Sequence, residues 1–181
     1  VYDTNDELLW REIFYKTDEE GNTVYDSRNN ANAIIETSTN TLIIGCNGST
    51  IPEGVERIQD YAFYDFNGLE SVTLPSTLKE IGVLAFCNTG LNSIEIPASI
   101  VSLGEAAFNG CESLRKAVLP NTLTSIPASL FIFCRSLEEV NIPNGVESIG
   151  DMAFRRCGFS AIEIPTSVKT IGEAAFQGCV N

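Results

Sequence analysis

IPNGVESIGDMAFRRC, residues 142–157, decides the fold, because most of the chain is copies of it. Its skeleton is I-P-x-x-V-x-x-I-G-x-x-A-F-x-x-C, followed by x-x-L-x-x-V-x before the next I-P. Prolines fall at 52, 75, 97, 120, 143 and 165, so the period is 22 or 23 residues. Three residues after each proline come Val55, Leu78, Ile100, Leu123, Val146 and Val168, and six after come Ile58, Ile81, Leu103, Ile126, Ile149 and Ile171. Phe63, Phe86, Phe108, Phe131, Phe154 and Phe176 fill one slot without exception. A unit this short cannot bury its apolar side alone. Stacked units align like residues into columns and share one core, which is the signature of a solenoid.

The segment before each proline, such as LESVTL or LEEVNI, alternates in polarity and is rich in branched residues, so it predicts one short parallel strand per turn. The two 22-residue turns lose one position just ahead of it, in CNTGLNSI and CGFSAI, which places the deletion in a loop. Gly82, Gly104, Gly150 and Gly172 suggest a corner with positive φ. Gln59 and Pro127 stand in that slot in two turns.

Upstream, Thr4 and Glu7 have capping-box spacing, and Leu8, Leu9, Ile13 and Phe14 follow at helical intervals, which predicts a helix over residues 5 to 14. Polar, Asn- and Gly-rich text then surrounds Val24 and Tyr25. Ala33–Glu36 and Thr41–Ile44 read as two strands around a TSTN turn. The organisation expected is an N-terminal capping segment over residues 1–45 and a solenoid of about six turns over 46–181.

Composition narrows the function. With 24 acids against 11 bases, the charge of −13 disfavours nucleic acid and anionic lipid as partners. The absence of histidine removes Ser-His-Asp and Cys-His catalysis and the commonest metal ligand. No apolar run approaches the ~18 residues of a membrane helix. The chain starts at Val1 and stops two residues after Cys179, where the next strand would follow, so a piece of a longer array is expected.

The units IPNGVESIGDMAFRRC, IPTSVKTIGEAAFQGC and LPSTLKEIGVLAF closely resemble the BspA-like leucine-rich repeats of bacterial surface proteins, and EGNTVYDSRNNANAIIETSTNTLIIGC resembles a longer unit interleaved with them. The resemblance covers about residue 20 onward. It implies an α/β, β-rich, right-handed solenoid with a concave parallel sheet and short helical or irregular segments opposite. It also implies export to the cell surface or outside, binding of protein or host matrix, and no catalytic residue or cofactor. Thr89, Pro127 and Leu130 depart from the pattern at its cysteine, glycine and alanine slots.

Cys111, Cys134, Cys157 and Cys179 share one slot. Equivalent Cβ atoms in a parallel stack lie about 4.8 Å apart and point the same way, which suits buried thiols acting as apolar filler better than disulfides. Without a C-x-x-C pair, a metal site is not expected. Cys46 and Cys87 lie outside the slot, and a separate pairing of either stays open. Acid neighbours such as Glu138 and Glu139, or Glu95 and Glu163, meet the composition of a glycosidase pair, but 24 acids produce such coincidences freely.

Recognition is therefore assigned to the outward strand positions: Thr73, Glu95, Val118, Asn141 and Glu163, with Arg115, Lys116 and Glu139 beside them; Asn141 is a better candidate contact than any recurring residue of the motif. The expected function is non-enzymatic protein binding through the concave face. A structural spacer, or glycan binding through Tyr61, Tyr64 and Phe66, are the alternatives.

Overall fold

Each repeat forms a strand at one corner, and the repeats beginning at Pro75, Pro97 and Pro120 form a second. The computed structural model describes residues 17–21 and 24–179; the helix expected over residues 5 to 14 lies outside them. The N-terminal strands are β1 (Tyr25–Asp26), β2 (Ile34–Glu36) and β3 (Thr41–Ile44). The repeats contribute β4 (Arg57–Ile58), β5 (Glu80–Ile81), β6 (Ser93–Glu95), β7 (Ser102–Leu103), β8 (Lys116–Val118), β9 (Ser125–Ile126), β10 (Glu139–Val140), β11 (Ser148–Ile149) and β12 (Thr170–Ile171).

One ladder lies at the corner five and six residues after each proline. There Ile58, Ile81, Ile126 and Ile149 point inward and are buried, Leu103 is half-buried, and Ile171 in the last turn is exposed. β1, β2 and β3 pair antiparallel, β3 pairs in parallel with β4, and the sheet runs on to β5 and β7. The N-terminal hairpin and the first repeats thus share a six-stranded sheet. β9, β11 and β12 continue the corner as a separate sheet.

The interruption has a chemical cause. In the glycine slot the N–H of Gln59, Gly82, Gly104, Gly150 and Gly172 donates to the carbonyl of Leu42, Ile58, Ile81, Ile126 and Ile149 at 2.7–2.9 Å. Pro127 has no N–H, so the Leu103 carbonyl lacks that bond. Beside the gap, Val101 is 80% exposed.

The second ladder is the strand expected before the proline. β6, β8 and β10 pair in register, Ser93 with Lys116 and Lys116 with Glu139. This sheet has three strands because it stops at each 22-residue turn. Residues 71–74 and 161–164 form no strand, and in both cases the shortened loop separates them from the neighbour they would join. Losing one residue slips the alternation on which pairing depends.

The helical segments expected opposite the sheet are absent: the only helix among the described residues is a 3-10 turn, Arg28–Asn30. The reason lies in two left-handed residues per repeat. Tyr61, Leu84, Ala106, Ser129, Met152 and Ala174, nine after each proline, have φ of 54–63°. Asp65, Asn88, Gly110, Phe133, Arg156 and Gly178, thirteen after, have φ of 55–76°. An α-helix cannot pass through such residues. Their N–H groups, and that of the phenylalanine between them, reach the following turn instead. Leu84 donates to Glu105, Phe86 to Ala107 and Asn88 to Asn109, at 2.8–3.1 Å, and the set recurs in the turns before and after. This third rail replaces the helix.

The corner glycines also serve a purpose other than the one expected. None of Gly82, Gly104, Gly150 and Gly172 has positive φ. A Cβ at Gly82, Gly150 or Gly172 would lie 2.5 Å from the backbone nitrogen of Asp60, Ala128 or Asp151 in the preceding turn. Glycine is there to let two backbones approach.

The core is a stack. Rings from Phe63 through Phe86, Phe108, Phe131 and Phe154 to Phe176 succeed each other at centroid separations of 5.0–5.8 Å, tilted by no more than 18°. The first five are fully buried. All six cysteines are free thiols, and the slot does more than fill space. The Sγ of Cys111, Cys134, Cys157 and Cys179 donates to the carbonyl of Phe86, Phe108, Phe131 and Phe154 at 2.8–3.2 Å. Thr89 differs: its hydroxyl donates within its own turn, to the Phe86 carbonyl at 2.9 Å, the same oxygen that accepts from Cys111. Burial pushes the Cys134 and Cys157 thiols well up and Cys87 up to about 11.

Candidate functional site

Two exposed surfaces are built by this framework. The first is the face of the three-stranded sheet, where the sequence places recognition. Ile94 and Ala117 point inward and are buried, which turns Ser93, Glu95, Lys116 and Glu139 outward and exposed, with Val118 half-buried. Arg115 precedes β8 and is exposed; its carbonyl accepts from the Glu138 and Glu139 N–H groups at 3.0 Å. Among the described residues its guanidinium forms no ion pair. The structure thus brings Glu95, Arg115, Lys116, Val118, Glu139 and Asn141 to one sheet. Thr73 and Glu163 are exposed but stand beyond it, in the turns where pairing has stopped.

Two of these residues are engaged within the protein. Lys116 Nζ lies 2.7 Å from Glu139 Oε2, and this bond raises the Lys116 pKa. Both groups are in water, so the pair adds little to stability and remains available to a partner. Asn141 is held more firmly: its Oδ1 accepts from the Leu119 N–H at 2.9 Å and its Nδ2 donates to the Leu119 carbonyl at 3.0 Å. The amide takes the place of a strand neighbour. It supports the sheet, and Arg115 becomes the side chain most open to a ligand.

The tyrosine cluster is less suited to a sugar than its sequence suggests. Tyr61 and Tyr64 are exposed, but their rings meet edge to face, 61° apart with centroids at 5.7 Å, and so form no flat platform. Phe66 packs against the core in the cysteine slot. Among the described residues no group of three or more acids and cysteines is placed to hold a metal.

The second surface was not foreseen. An open groove of about 950 Å³ crosses the six-stranded sheet, lined by Tyr25, Glu36, Arg57, Asp60, Glu80, Val101 and their neighbours. Its floor follows one row in register, Tyr25, Glu36, Thr41, Arg57, Glu80 and Ser102. Ion pairs cross it from turn to turn, Arg57 with Glu80 at 3.2 Å and Lys79 with Glu56 at 2.5 Å, the latter lowering the Glu56 pKa. Expecting a single strand per turn hid this row. The recurring exposed residue ahead of each inward Ile or Leu, as in RI, EI and SL, was its only signal.

Comparison with known proteins fits this geometry. The family described as "BspA type Leucine rich repeat region (6 copies)" matches residues 44–158 and 147–181. No curated protein matches the chain. A leucine-rich repeat protein from Bacteroides ovatus is similar in structure, with TM-score 0.54 and 22% identity over 86% of this chain and 61% of that one. A leucine rich cell surface protein from Faecalibacterium prausnitzii gives 0.61 and 25%, over 91% and 52%. A T. pallidum leucine-rich repeat protein gives 0.64 and 25%, over 86% and 85%. The chain spans only about half to three fifths of the first two.

Proposed function

Because this chain belongs to the BspA-type leucine-rich repeat family, we propose that it is a non-enzymatic binding module that recognises protein through the face of β6, β8 and β10. The observation that carries this reading is the division of labour within each repeat. The recurring letters are spent on the phenylalanine stack, the thiol bonds and the glycine contacts. The positions the skeleton leaves open are those exposed on the sheet, where they can vary without cost to the core. Arg115, Lys116 and Glu139 offer both charges in one place. A surface location on a bacterial cell belongs to the same proposal, supported by the description of the F. prausnitzii relative as a cell surface protein. Among the described residues no helix is long and apolar enough to cross a membrane.

The test is a quantitative interaction screen with the wild type and with Arg115→Ser/Lys116→Ser/Glu139→Ser. Loss of a specific partner from the variant, at an unchanged urea midpoint, is expected. An identical partner set would favour a spacer that displays another domain.

A further inference from the structure

We propose that the groove across the six-stranded sheet is a second docking surface, which takes an extended, basic segment of a protein partner. The groove's hydrogen-bonding groups form an inventory that leans toward acceptors. Four carboxylates line it, Glu36, Glu56, Asp60 and Glu80, against two cations, Arg57 and Lys79. Both cations are already occupied, by Glu80 and Glu56. Glu36 and Asp60 are left with neutral donors, the Thr39 hydroxyl at 2.5 Å and the Val83 N–H at 2.9 Å. The groove therefore presents two uncompensated negative charges.

Backbone acceptors add to them at the far end. Elsewhere along the corner the residue four after each proline donates to its counterpart in the preceding turn, as Val101 does to Lys79 and Glu147 to Thr124. Thr124 makes no such bond to Val101, and Pro127 makes none to Leu103. Of the two, Val101 lines the groove, and its carbonyl has no backbone donor there. A side chain that supplies donors and positive charge but no acceptor, arginine above all, answers both halves of the inventory. Phosphate-bearing ligands are repelled.

The shape selects an extended chain. From Tyr25 to Ser102 the row crosses six strands, about 24 Å at strand spacing, the reach of roughly seven extended residues. This surface is separate from the face of β6, β8 and β10, so either reading can fail alone.

The test is fluorescence anisotropy at about 0.15 M salt with labelled peptides of alternating Arg and Ser, Gln and Ser, or Glu and Ser. The Arg peptide is expected to bind the wild type, and the others not. Glu36→Gln/Asp60→Asn keeps the acceptors used by Thr39 and Val83 and is expected to weaken binding about tenfold or more. Glu105→Gln/Glu173→Gln removes the same charge outside the groove and is expected to change it less than about twofold. The Arg115/Lys116/Glu139 variant should bind like wild type. Equal weakening by the two acid pairs would show attraction to the acidic chain as a whole and overturn the proposal. So would loss in the Arg115/Lys116/Glu139 variant, equal binding of the Gln peptide, or no binding of the Arg peptide.

Discussion

Ala106 and Ala107 are adjacent, and glycine at each should act in opposite directions. Ala106 is half-buried with φ of 54°, and its N–H reaches the Ala128 carbonyl of the next turn at 3.1 Å. An L-residue in this conformation costs about 1–2 kcal/mol, which glycine removes. Glycine gives back about 0.5–1 kcal/mol through its freer unfolded chain. Ala106→Gly should therefore be neutral or stabilising by up to about 1.5 kcal/mol. Ala107 is fully buried and lacks the positive φ. There glycine loses about 0.8 kcal/mol of methyl burial as well as the entropy, so Ala107→Gly should cost about 1.3–1.8 kcal/mol. Urea unfolding with an unchanged m value reads both as shifts of midpoint. A helix over this segment demands a different result: each substitution would then destabilise by about 1 kcal/mol or more. A loss of that size at Ala106 would refute the left-handed rail.

Phe108→Ala removes a ring stacked on both sides and should cost about 3–5 kcal/mol in the same assay, while Phe108→Leu, which keeps most of the volume, should cost clearly less. Asn141→Ala strips both partners from the Leu119 backbone and should cost about 1–3 kcal/mol; a variant that lost a partner at full stability would instead make Asn141 a contact. Burial raises the Cys87 thiol from 9.0 to about 11. The stability tied to that raised value is fully present below pH 9, because the unfolded thiol ionises first, and is lost as pH rises from 9 through 11. Urea midpoints measured across that range should fall less steeply in Cys87→Ala, and an unchanged slope would remove Cys87 as a cause.

Much of the framework was readable because burial is periodic. The six stacked Phe, the inward Ile and Leu of the corner and the four Cys of one slot repeat at 22 or 23 residues, and stacked turns align them. The direction of the backbone was not readable. Tyr61, Leu84, Ala106, Ser129, Met152 and Ala174 share a left-handed conformation and almost no chemistry, since the bond each N–H makes lies in the next turn. The glycine slot misled for a related reason: Gly82 is required by the backbone of Asp60, a neighbour only in three dimensions. On the face of β6, β8 and β10, alternation located Glu95, Lys116 and Glu139 on the outer, exposed side. It could not show that a one-residue deletion would strand Thr73 and Glu163, or that the amide of Asn141 would turn toward Leu119. The groove needs five strand registers at once, and no local pattern contains them.

Each turn is tied to the next by hydrogen bonds running forward through the phenylalanine segment. Scalar coupling across hydrogen bonds, measured by NMR on isotopically labelled protein, addresses it at single bonds. The Phe108 nitrogen should couple to the Leu130 carbonyl, its partner at 3.1 Å in the following turn. Coupling to the Gly104 carbonyl, the partner an α-helix would supply, would contradict the account.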